Sequence, residues 1–205
     1  MKKVFLTLLI IAFTMSLQAQ EKGKIRVGFD AGLGLPNAGA GFDGDLDIRY
    51  NIMDNVNVGL KFNGALLIKD LAADQAANRV SLTTSIISST LATSDYYFSK
   101  GDNMFAPYLG GGLGFYQITN IGLSQTGTTA PTPPSDFSAF TPVSKFGGLI
   151  RGGFELGHFR MGLEYYLVPS SNVMDLTTKT VSGTTPNSYL NISLGFYFGG
   201  GHWKK

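Results

Sequence analysis

Apolar and polar residues alternate along most of the chain downstream of residue 24. In residues 154–166, FELGHFRMGLEYY, aromatic and aliphatic side chains take one alternate set of positions on each side of Gly157-His158, and Glu155, Arg160 and Glu164 take the other. A period of two indicates a β-strand with one apolar and one polar face, and no window shows a convincing helical period. Eight such segments predict an all-β chain: 25–35, 42–52, 56–66, about 80–98, 105–115, 146–156, 159–167 and 190–198.

The segment 80–98 is the least regular of the eight. Ile87 and Leu91 break the parity that Ile86 shares with Tyr96. A β-bulge places one extra residue in a strand and so exchanges its two faces. A bulge in the Ser/Thr-rich middle of this segment would therefore account for the break in alternation.

The connections between the segments alternate in length. Strands of about 9–11 residues cross a bilayer at a tilt, and short turns on one side with long loops on the other are typical of outer-membrane barrels. An even number of strands then places both chain ends in the periplasm. The sequence predicts an eight-stranded antiparallel up-and-down transmembrane β-barrel. Its short turns are 53–55, 99–104 and 157–158, and its longer loops are 36–41, 67–79, 116–145 and 168–189.

A soluble barrel would share this alternation but would turn its apolar face inward, whereas a membrane barrel turns it toward lipid. Aromatic residues that collect near the short turns favour the membrane barrel, because they resemble an interfacial girdle. Glycines crowd the polar face, as a narrow lumen with large side chains requires. The aromatic residues are Tyr50, Tyr96, Phe98, Phe105, Phe154, Phe159, Phe196 and Phe198. The glycines are Gly28, Gly32, Gly34, Gly110, Gly112, Gly114, Gly153 and Gly162.

Charged residues on the polar face can also be paired across neighbouring strands. A two-residue turn at Gly157-His158, with glycine first as a type II′ turn prefers, sets the register of one hairpin. A turn at Asp54 sets the register of another. Each pair of opposed charges contributes modestly to the stability of the fold. An unpaired charge in a narrow lumen would reduce that stability by much more. The predicted pairs are Glu155 with Arg160, Arg151 with Glu164, and Asp47 with Lys61.

These pairs belong to a larger predicted set of lumen residues. An eight-stranded barrel is just wide enough for side chains to fill it, so an open porin is not expected. The predicted lumen charge network comprises Arg26, Asp30, Asp47, Arg49, Lys61, Arg151, Glu155, Arg160 and Glu164, and Tyr108 and Tyr166 are expected beside it.

The N-terminus, MKKVFLTLLIIAFTMSLQAQ, has a basic start followed by the apolar run 4–13. This pattern predicts a secretory signal peptide of the Sec type, which is too short for a transmembrane helix, with cleavage expected after Ala19. Removal of Lys2 and Lys3 leaves equal numbers of basic and acidic residues, so no nucleic-acid partner is expected. The chain has no cysteine and must be held together without disulfides.

Three stretches, APYLGGGLGFY (106–116), RGGFELGHFRMGLEYY (151–166) and SYLNISLGFYF (188–198), resemble the small eight-stranded outer-membrane β-barrel family, the OmpA-, OmpX- and OmpW-like group. The resemblance implies residence in the outer membrane of a Gram-negative-type bacterium, contact with outer-membrane lipid, and assembly by the barrel assembly machinery. The last stretch resembles the β-signal read by that machinery. Its matching residues are Ser193, Gly195, Phe196 and Phe198.

Two features depart from that family pattern. The chain continues past the final aromatic as GGGHWKK, which we interpret as a short periplasmic tail, 199–205. A C-terminal domain of the peptidoglycan-tethering kind is not seen, so that role is not expected. The predicted organisation is a signal peptide at 1–19, a barrel at 20–198 and the tail.

Candidate chemistry in the sequence has simpler explanations. FDGDLD places Asp43, Asp45 and Asp47 on one face, but a calcium loop needs more spaced ligands, so lumen acids paired with Arg49 and Lys61 are favoured. GGGLGF lacks the lysine and hydroxyl residue of a phosphate-binding loop. His158 and His202 lie on the predicted periplasmic side, and no Ser-His-Asp set can be assembled. No catalytic residue, cofactor or metal is expected.

The functional expectation is accordingly a structural or surface-interaction role through long extracellular loops. Residues 117–144 are Thr-, Ser- and Pro-rich and are either a surface-recognition element or a loop without a fixed partner. One alternative is a narrow conduit or a binding pocket for a small hydrophobic molecule in the space left by lumen glycines. A lipid-modifying or proteolytic barrel enzyme is a third possibility.

Overall fold

The computed structural model describes residues 21–74, 79–99, 105–126, 141–175 and 179–200. The predicted signal peptide, residues 127–140 of the predicted surface loop and residues 201–205 of the predicted tail lie outside the described residues. In the described part, no helix has both the length and the hydropathy needed to cross a membrane.

Eight strands close a barrel in the order β1-β2-β3-β4-β5-β6-β7-β10, and β10 pairs with β1 to complete it. All of these neighbouring pairs are antiparallel, which confirms the predicted up-and-down barrel. The strands are β1 (Ile25–Pro36), β2 (Gly39–Met53), β3 (Val56–Asp74), β4 (Arg79–Tyr97), β5 (Phe105–Thr126), β6 (Val143–Leu156), β7 (Phe159–Leu167), β8 (Ser171–Asp175), β9 (Val181–Thr185) and β10 (Tyr189–Gly199).

The apolar face of the barrel lies outside and the charged face lies inside. Phe29 on β1 is 54% exposed, whereas Arg160 on β7 is 2% exposed. A soluble barrel would show the reverse distribution, because water would solvate its outer face. An apolar outer surface around a polar interior is the arrangement of a transmembrane barrel.

Aromatic side chains form part of the outer surface near the short turns. The rings of Phe105 and Phe154 lie 5.3 Å apart, and those of Phe159 and Phe196 lie 5.6 Å apart in edge-to-face geometry. Aromatic rings are enriched at the boundary between lipid and water, because each ring joins an apolar body to a polarisable face. These contacts place aromatic rings on the outer surface at the short-turn end of the barrel.

The β6–β7 hairpin has the predicted two-residue turn. Gly157 has a φ of +61°, which is the positive φ that the first central residue of a type II′ turn requires. The register that follows places Glu155 opposite Arg160 and Arg151 opposite Glu164, as predicted. In the β2–β3 hairpin, Asp47 lies opposite Lys61, also as predicted.

Three predicted loops are shorter than expected. The loop predicted at 36–41 is a turn between Pro36 and Gly39, with Ala38 at a φ of 57°. The predicted loop 67–79 begins too early, because β3 continues to Asp74. The predicted loop 117–144 likewise begins too early, because β5 continues to Thr126. Above the lipid a strand needs no apolar outer face, so the alternation weakens there although backbone pairing continues.

The prediction of a bulge in the middle of β4 is wrong. Inward and outward side chains alternate without interruption from Thr83 to Tyr97, and the register with β5 is continuous. Ile87 and Leu91 instead face the lumen, where both are almost fully buried. The irregularity lies on β3, between Lys69 and Ala72. The break in alternation thus marks an apolar part of the interior.

The predicted loop 168–189 contains a hairpin that the sequence analysis missed. Its strands β8 and β9 pair with each other, and β8 also pairs with β5 in parallel at Ile121 and Gly122. The pairing between β5 and β6 ends at Ile118. The upper edge of β5 would otherwise present unpaired backbone groups, and β8 covers part of that edge.

Candidate functional site in the barrel lumen

Asp47 on β2 lies at the centre of an ionic network in the half of the lumen nearer the short turns. Its carboxylate accepts hydrogen bonds from Arg49, from Arg151 Nη1 at 3.1 Å and from Arg160 Nη1 at 3.1 Å. All four side chains are at most 2% exposed. A buried carboxylate is stable only when such charged donors replace its water shell.

Asp95 on β4 is a second acceptor, which sequence reasoning did not single out. Arg151 donates to it through two atoms, Nε to Oδ1 at 2.7 Å and Nη2 to Oδ2 at 3.0 Å. Arg49 Nη1 lies 2.8 Å from Asp95 Oδ2. The available signal was the position of Asp95 on the opposite face to Tyr96, which places its charge inward. Bidentate pairs of this kind are among the strongest hydrogen-bonded contacts.

Glu155 on β6 contacts polar side chains from three other strands. Its Oε2 lies 2.6 Å from Arg26 Nη2, and its Oε1 lies 3.3 Å from Arg160 Nε. The Tyr97 hydroxyl donates to Oε1 at 2.8 Å. The Arg26 guanidinium also lies 3.8 Å from the centre of the Tyr197 ring, a favourable cation–π contact between buried groups.

Lys61 on β3 forms the next part of the network toward the extracellular side. Its ammonium donates to Asp45 Oδ2 at 2.6 Å and to Glu164 Oε1 at 2.9 Å. The Tyr166 hydroxyl donates to Glu164 Oε2 at 2.8 Å. Among the described residues, the hydrogen-bond donors to Asp43 are the three neutral side chains of Asn63, Tyr189 and Asn191.

All nine residues of the predicted lumen charge network are at most 6% exposed. Their closest partners, however, are not the residues directly opposite in the register. Arg151 Nη1 lies 3.9 Å from Glu164 Oε1 but much closer to Asp95 and Asp47. Lys61 lies opposite Asp47 but bonds Asp45 and Glu164. The lumen is narrow enough for side chains to reach across it, so the nearest opposite charge is commonly on a non-neighbouring strand.

An apolar layer lies beside the network on the extracellular side. Its side chains are at most 5% exposed. The rings of Tyr166 and Tyr189 stack at 4.5 Å within the layer, and their hydroxyls contact the carboxylates of Glu164 and Asp43. The layer consists of Ala65, Leu67, Ile87, Leu91, Tyr116, Ile118, Leu149, Tyr166, Val168 and Tyr189. These apolar side chains occupy this part of the described lumen.

The segment that carries β8 and β9 is anchored above the apolar layer by buried polar groups. Asn187 Nδ2 donates to Pro169 O at 2.7 Å and to Ser171 Oγ at 2.8 Å. Its Oδ1 accepts from the Lys69 ammonium at 3.0 Å. Asn120 Nδ2 donates to the same Ser171 Oγ at 2.8 Å. These bonds tie the hairpin to β3 and β5 and hold it over the extracellular end of the lumen.

Substitution Asn187→Ala is expected to release this hairpin from the barrel. The change leaves the Lys69 ammonium and the Pro169 carbonyl with fewer buried partners, at a cost of about 1–3 kcal/mol. Limited proteolysis of the barrel in lipid should then cleave 168–188 faster than in the native protein. Asn172→Ala is the matched control, because Asn172 is exposed and receives one long side-chain bond of 3.5 Å from Thr184. Equal cleavage of both variants would contradict the anchoring role.

The space beside the lumen glycines is already occupied by side chains. A Cβ on Gly110 would lie 2.0 Å from Asp95 Oδ1, and one on Gly32 would lie 2.3 Å from Asn191 Oδ1. A Cβ on Gly28 would lie 3.1 Å from Arg160 Nη2. The glycines therefore allow the long polar side chains to lie against neighbouring strands. At these positions they do not create room for a small molecule.

The four residues of the β-signal resemblance lie on β10, which closes the barrel against β1. Ser193 is 2% exposed and faces the lumen, as does Gly195 beside Asp30. Phe196 and Phe198 face outward. His158, in the β6–β7 turn, has its Nδ1 2.9 Å from Tyr197 O, and His202 lies outside the described residues.

Comparison with solved structures finds one barrel of the same fold and two further barrels with lower similarity. Neisserial surface protein A (NspA) aligns with 15% identity and a TM-score of 0.51, covering 86% of this chain and 98% of that chain. OprG from Pseudomonas aeruginosa aligns with 12% identity and a TM-score of 0.49, covering 89% and 99%. The N-terminal barrel domain of Pseudomonas aeruginosa OprF aligns with 15% identity and a TM-score of 0.44, covering 87% and 100%. No family model and no curated protein sequence matches the chain.

A closed barrel of eight strands, an apolar outer surface and the likeness to NspA together define the class of this protein. It is a small eight-stranded transmembrane β-barrel of the outer-membrane type. Its fold is that of the outer-membrane barrel proteins that the resemblance in 106–116, 151–166 and 188–198 implied.

Proposed function

We propose that this chain is an exported outer-membrane protein whose closed barrel serves a structural or surface-interaction role and does not act as an open pore. The proposed mature protein consists of a barrel, 20–198, and a periplasmic tail, 199–205, after removal of a signal peptide, 1–19. The barrel contacts outer-membrane lipid through its apolar face.

The observation that carries this proposal is that side chains from all eight barrel strands are buried in the described lumen. The ionic network around Asp47 occupies the periplasmic half, the apolar layer follows, and the anchored hairpin β8–β9 lies over the extracellular end. A conduit would need a continuous polar path, and a hydrophobic pocket would need unfilled space in the apolar layer. The filling supports neither alternative, so the surfaces outside the lumen are the better candidates for function.

The extracellular side offers the larger of these surfaces. Strands β3, β4 and β5 have 19, 19 and 22 residues, whereas β7 has 9. At about 3.4 Å per residue, the longer strands extend well beyond the thickness that β7 spans. Strand β8 pairs with the upper part of β5 and extends this part of the sheet to β9. We propose that a surface ligand contacts this sheet and the adjoining part of 117–144.

The residues of the β-signal resemblance have a matching proposed role. Ser193, Gly195, Phe196 and Phe198 lie on the strand that completes the barrel, so their pattern is available to the assembly machinery before β10 pairs with β1. Phe196 and Phe198 present their rings on the outer surface, where a membrane-embedded partner can contact them.

Purified barrel that is refolded and inserted into planar lipid bilayers is expected to give no stable single-channel conductance. Side chains of the network and of the apolar layer would have to move together to open a path. A large porin inserted into the same bilayers is the control that shows channels are detectable. Insertion itself should be verified by the heat-modifiable gel shift of folded barrels. Reproducible conductance steps from the folded native protein would overturn the proposal of a closed lumen.

A further inference from the structure

The outward side chains of β4 are small over a longer stretch than those of any other barrel strand in the lipid-facing part that the structure describes. Four consecutive outward positions lie between Ile86 and Tyr96, whose large side chains are 50% and 47% exposed. On the other seven barrel strands, a small outward residue in this band is followed by a large apolar one at the next outward position. The four outward residues of β4 are Ser88, Thr90, Ala92 and Ser94, and all four are exposed.

These small side chains form the floor of a groove on the lipid-facing surface. The groove has a volume of about 700 Å³. Val58 and Leu60 on β3 lie along one side and Leu113 on β5 lies along the other. These three side chains are 38%, 47% and 60% exposed, so the walls of the groove project toward lipid. In the membrane such a recess is filled either by lipid chains or by protein.

Hydroxyl groups in the floor of the groove favour protein over lipid. Thr90 lies directly between Phe62 on β3 and Phe115 on β5, which are 39% and 61% exposed. The hydroxyls of Thr90 and Ser88 form no hydrogen bond with any residue in the described part of the chain. Lipid chains carry no donor or acceptor, and the hydrocarbon layer holds no water that could replace one. Lipid would leave these hydroxyls unpaired, whereas a protein surface with hydroxyls of its own would pair with them.

We propose that the groove along β4 is the contact surface through which two copies of this chain form a dimer in the membrane. Two-fold symmetry brings the same patch of both copies together, so hydroxyls near the axis meet their own counterparts. Strands of such barrels are tilted by about 35–45°, so the two facing β4 strands cross, and their small side chains let the backbones approach closely at the crossing. Close packing and hydrogen bonds drive association in lipid, because burial of apolar surface alone gives no advantage over contact with lipid.

Cysteine crosslinking of the full mature chain tests the contact directly, because the native chain has no cysteine. Ala92→Cys places a thiol in the floor of the groove. Ala31→Cys is the matched control, since Ala31 is also exposed and outward but lies on β1, between Phe29 and Leu33. In lipid vesicles with an added oxidant, Ala92→Cys should form the disulfide-linked dimer much faster than Ala31→Cys, at a rate that does not change when more lipid is added. Equal rates for the two variants, or a rate that falls in proportion to dilution by lipid, would overturn the proposal.

Sedimentation equilibrium in density-matched detergent micelles measures the strength of the contact. Ala92→Phe fills the groove and should raise the dissociation constant of the dimer by about tenfold or more, whereas Ala31→Phe should leave it unchanged. Both changes lie on the outer face, so both variants should retain the heat-modifiable gel shift. Thr90→Val removes the hydroxyl at nearly constant shape and should raise the dissociation constant by roughly three- to tenfold. A native barrel that stays monomeric would assign the groove to lipid and overturn the proposal, as would Ala92→Phe or Thr90→Val dimers as tight as the native one.

Discussion

Replacement of Asp47 by asparagine is expected to destabilise the folded barrel by about 3–5 kcal/mol, the usual cost of removing one partner from a buried ion pair. The carboxylate accepts from Arg49, Arg151 and Arg160, and all three guanidiniums are buried. The asparagine side chain has nearly the same shape, so the loss reflects the removed charge and the replacement of one acceptor oxygen by an NH₂ donor that faces guanidinium donors. Urea unfolding in lipid vesicles, followed by circular dichroism and by the gel shift, measures the change in free energy.

Asp54→Asn is the control for the charge itself. Asp54 lies on the β2–β3 turn outside the lumen and accepts one backbone hydrogen bond, from Lys22 N at 3.0 Å. Water screens its charge, so the expected loss is below about 1 kcal/mol. If both substitutions had the same small effect, the ionic network would contribute little to the stability of the barrel, and the central position assigned to Asp47 would be wrong.

The second large effect is expected from Gly110→Ala on β5. The new Cβ would lie 2.0 Å from Asp95 Oδ1 and 2.5 Å from the backbone oxygen of Ser94. The Asp95 carboxylate is held by Arg151 through two hydrogen bonds and the oxygen of Ser94 belongs to the neighbouring strand, so neither can move cheaply. Overpacking of this kind costs about 1–3 kcal/mol or more, and the same unfolding measurement should detect it.

Gly64→Ala is a matched control for this prediction. Gly64 lies on β3, and a Cβ there would meet no atom within 4 Å. Its substitution should leave stability nearly unchanged or raise it by about 0.4–1 kcal/mol through reduced freedom of the unfolded chain. If the Gly110→Ala barrel were as stable as the Gly64→Ala barrel, the side chains beside Asp95 would have room to move. That result would contradict the close approach of Asp95 to Gly110.

Much of the barrel could be predicted because the relevant signals are local. The alternation in 25–35 or 159–167 follows from the two faces of a strand, and it appears wherever one face meets lipid and the other meets the lumen. The register of β6 against β7 follows from the two-residue turn at Gly157-His158. Neither inference needs knowledge of distant parts of the chain.

Strand ends and the upper interior were harder to predict for a physical reason. Outside the lipid, the requirement for an apolar outer face ends, so the continuation of β3 and β5 leaves little trace in the alternation. Ile87 and Leu91 interrupt the alternation because these apolar side chains point inward, where they pack against side chains from other strands. The hairpin β8–β9 depends on covering an edge of β5 that exists only once the barrel is closed.

The sequence by itself determined the strand class, the barrel, the inward position of the charges and the opposition of Glu155 and Arg160. Only the tertiary structure decided which charges bind one another. Closure of the sheet brings Arg26 on β1 to Glu155 on β6, and Arg151 on β6 to Asp95 on β4, although neither pair lies on neighbouring strands. Strand register can be inferred from turn length and from the alternation of residues. Contacts across the lumen depend on the curvature of the closed barrel. Residue spacing along the chain does not specify that curvature.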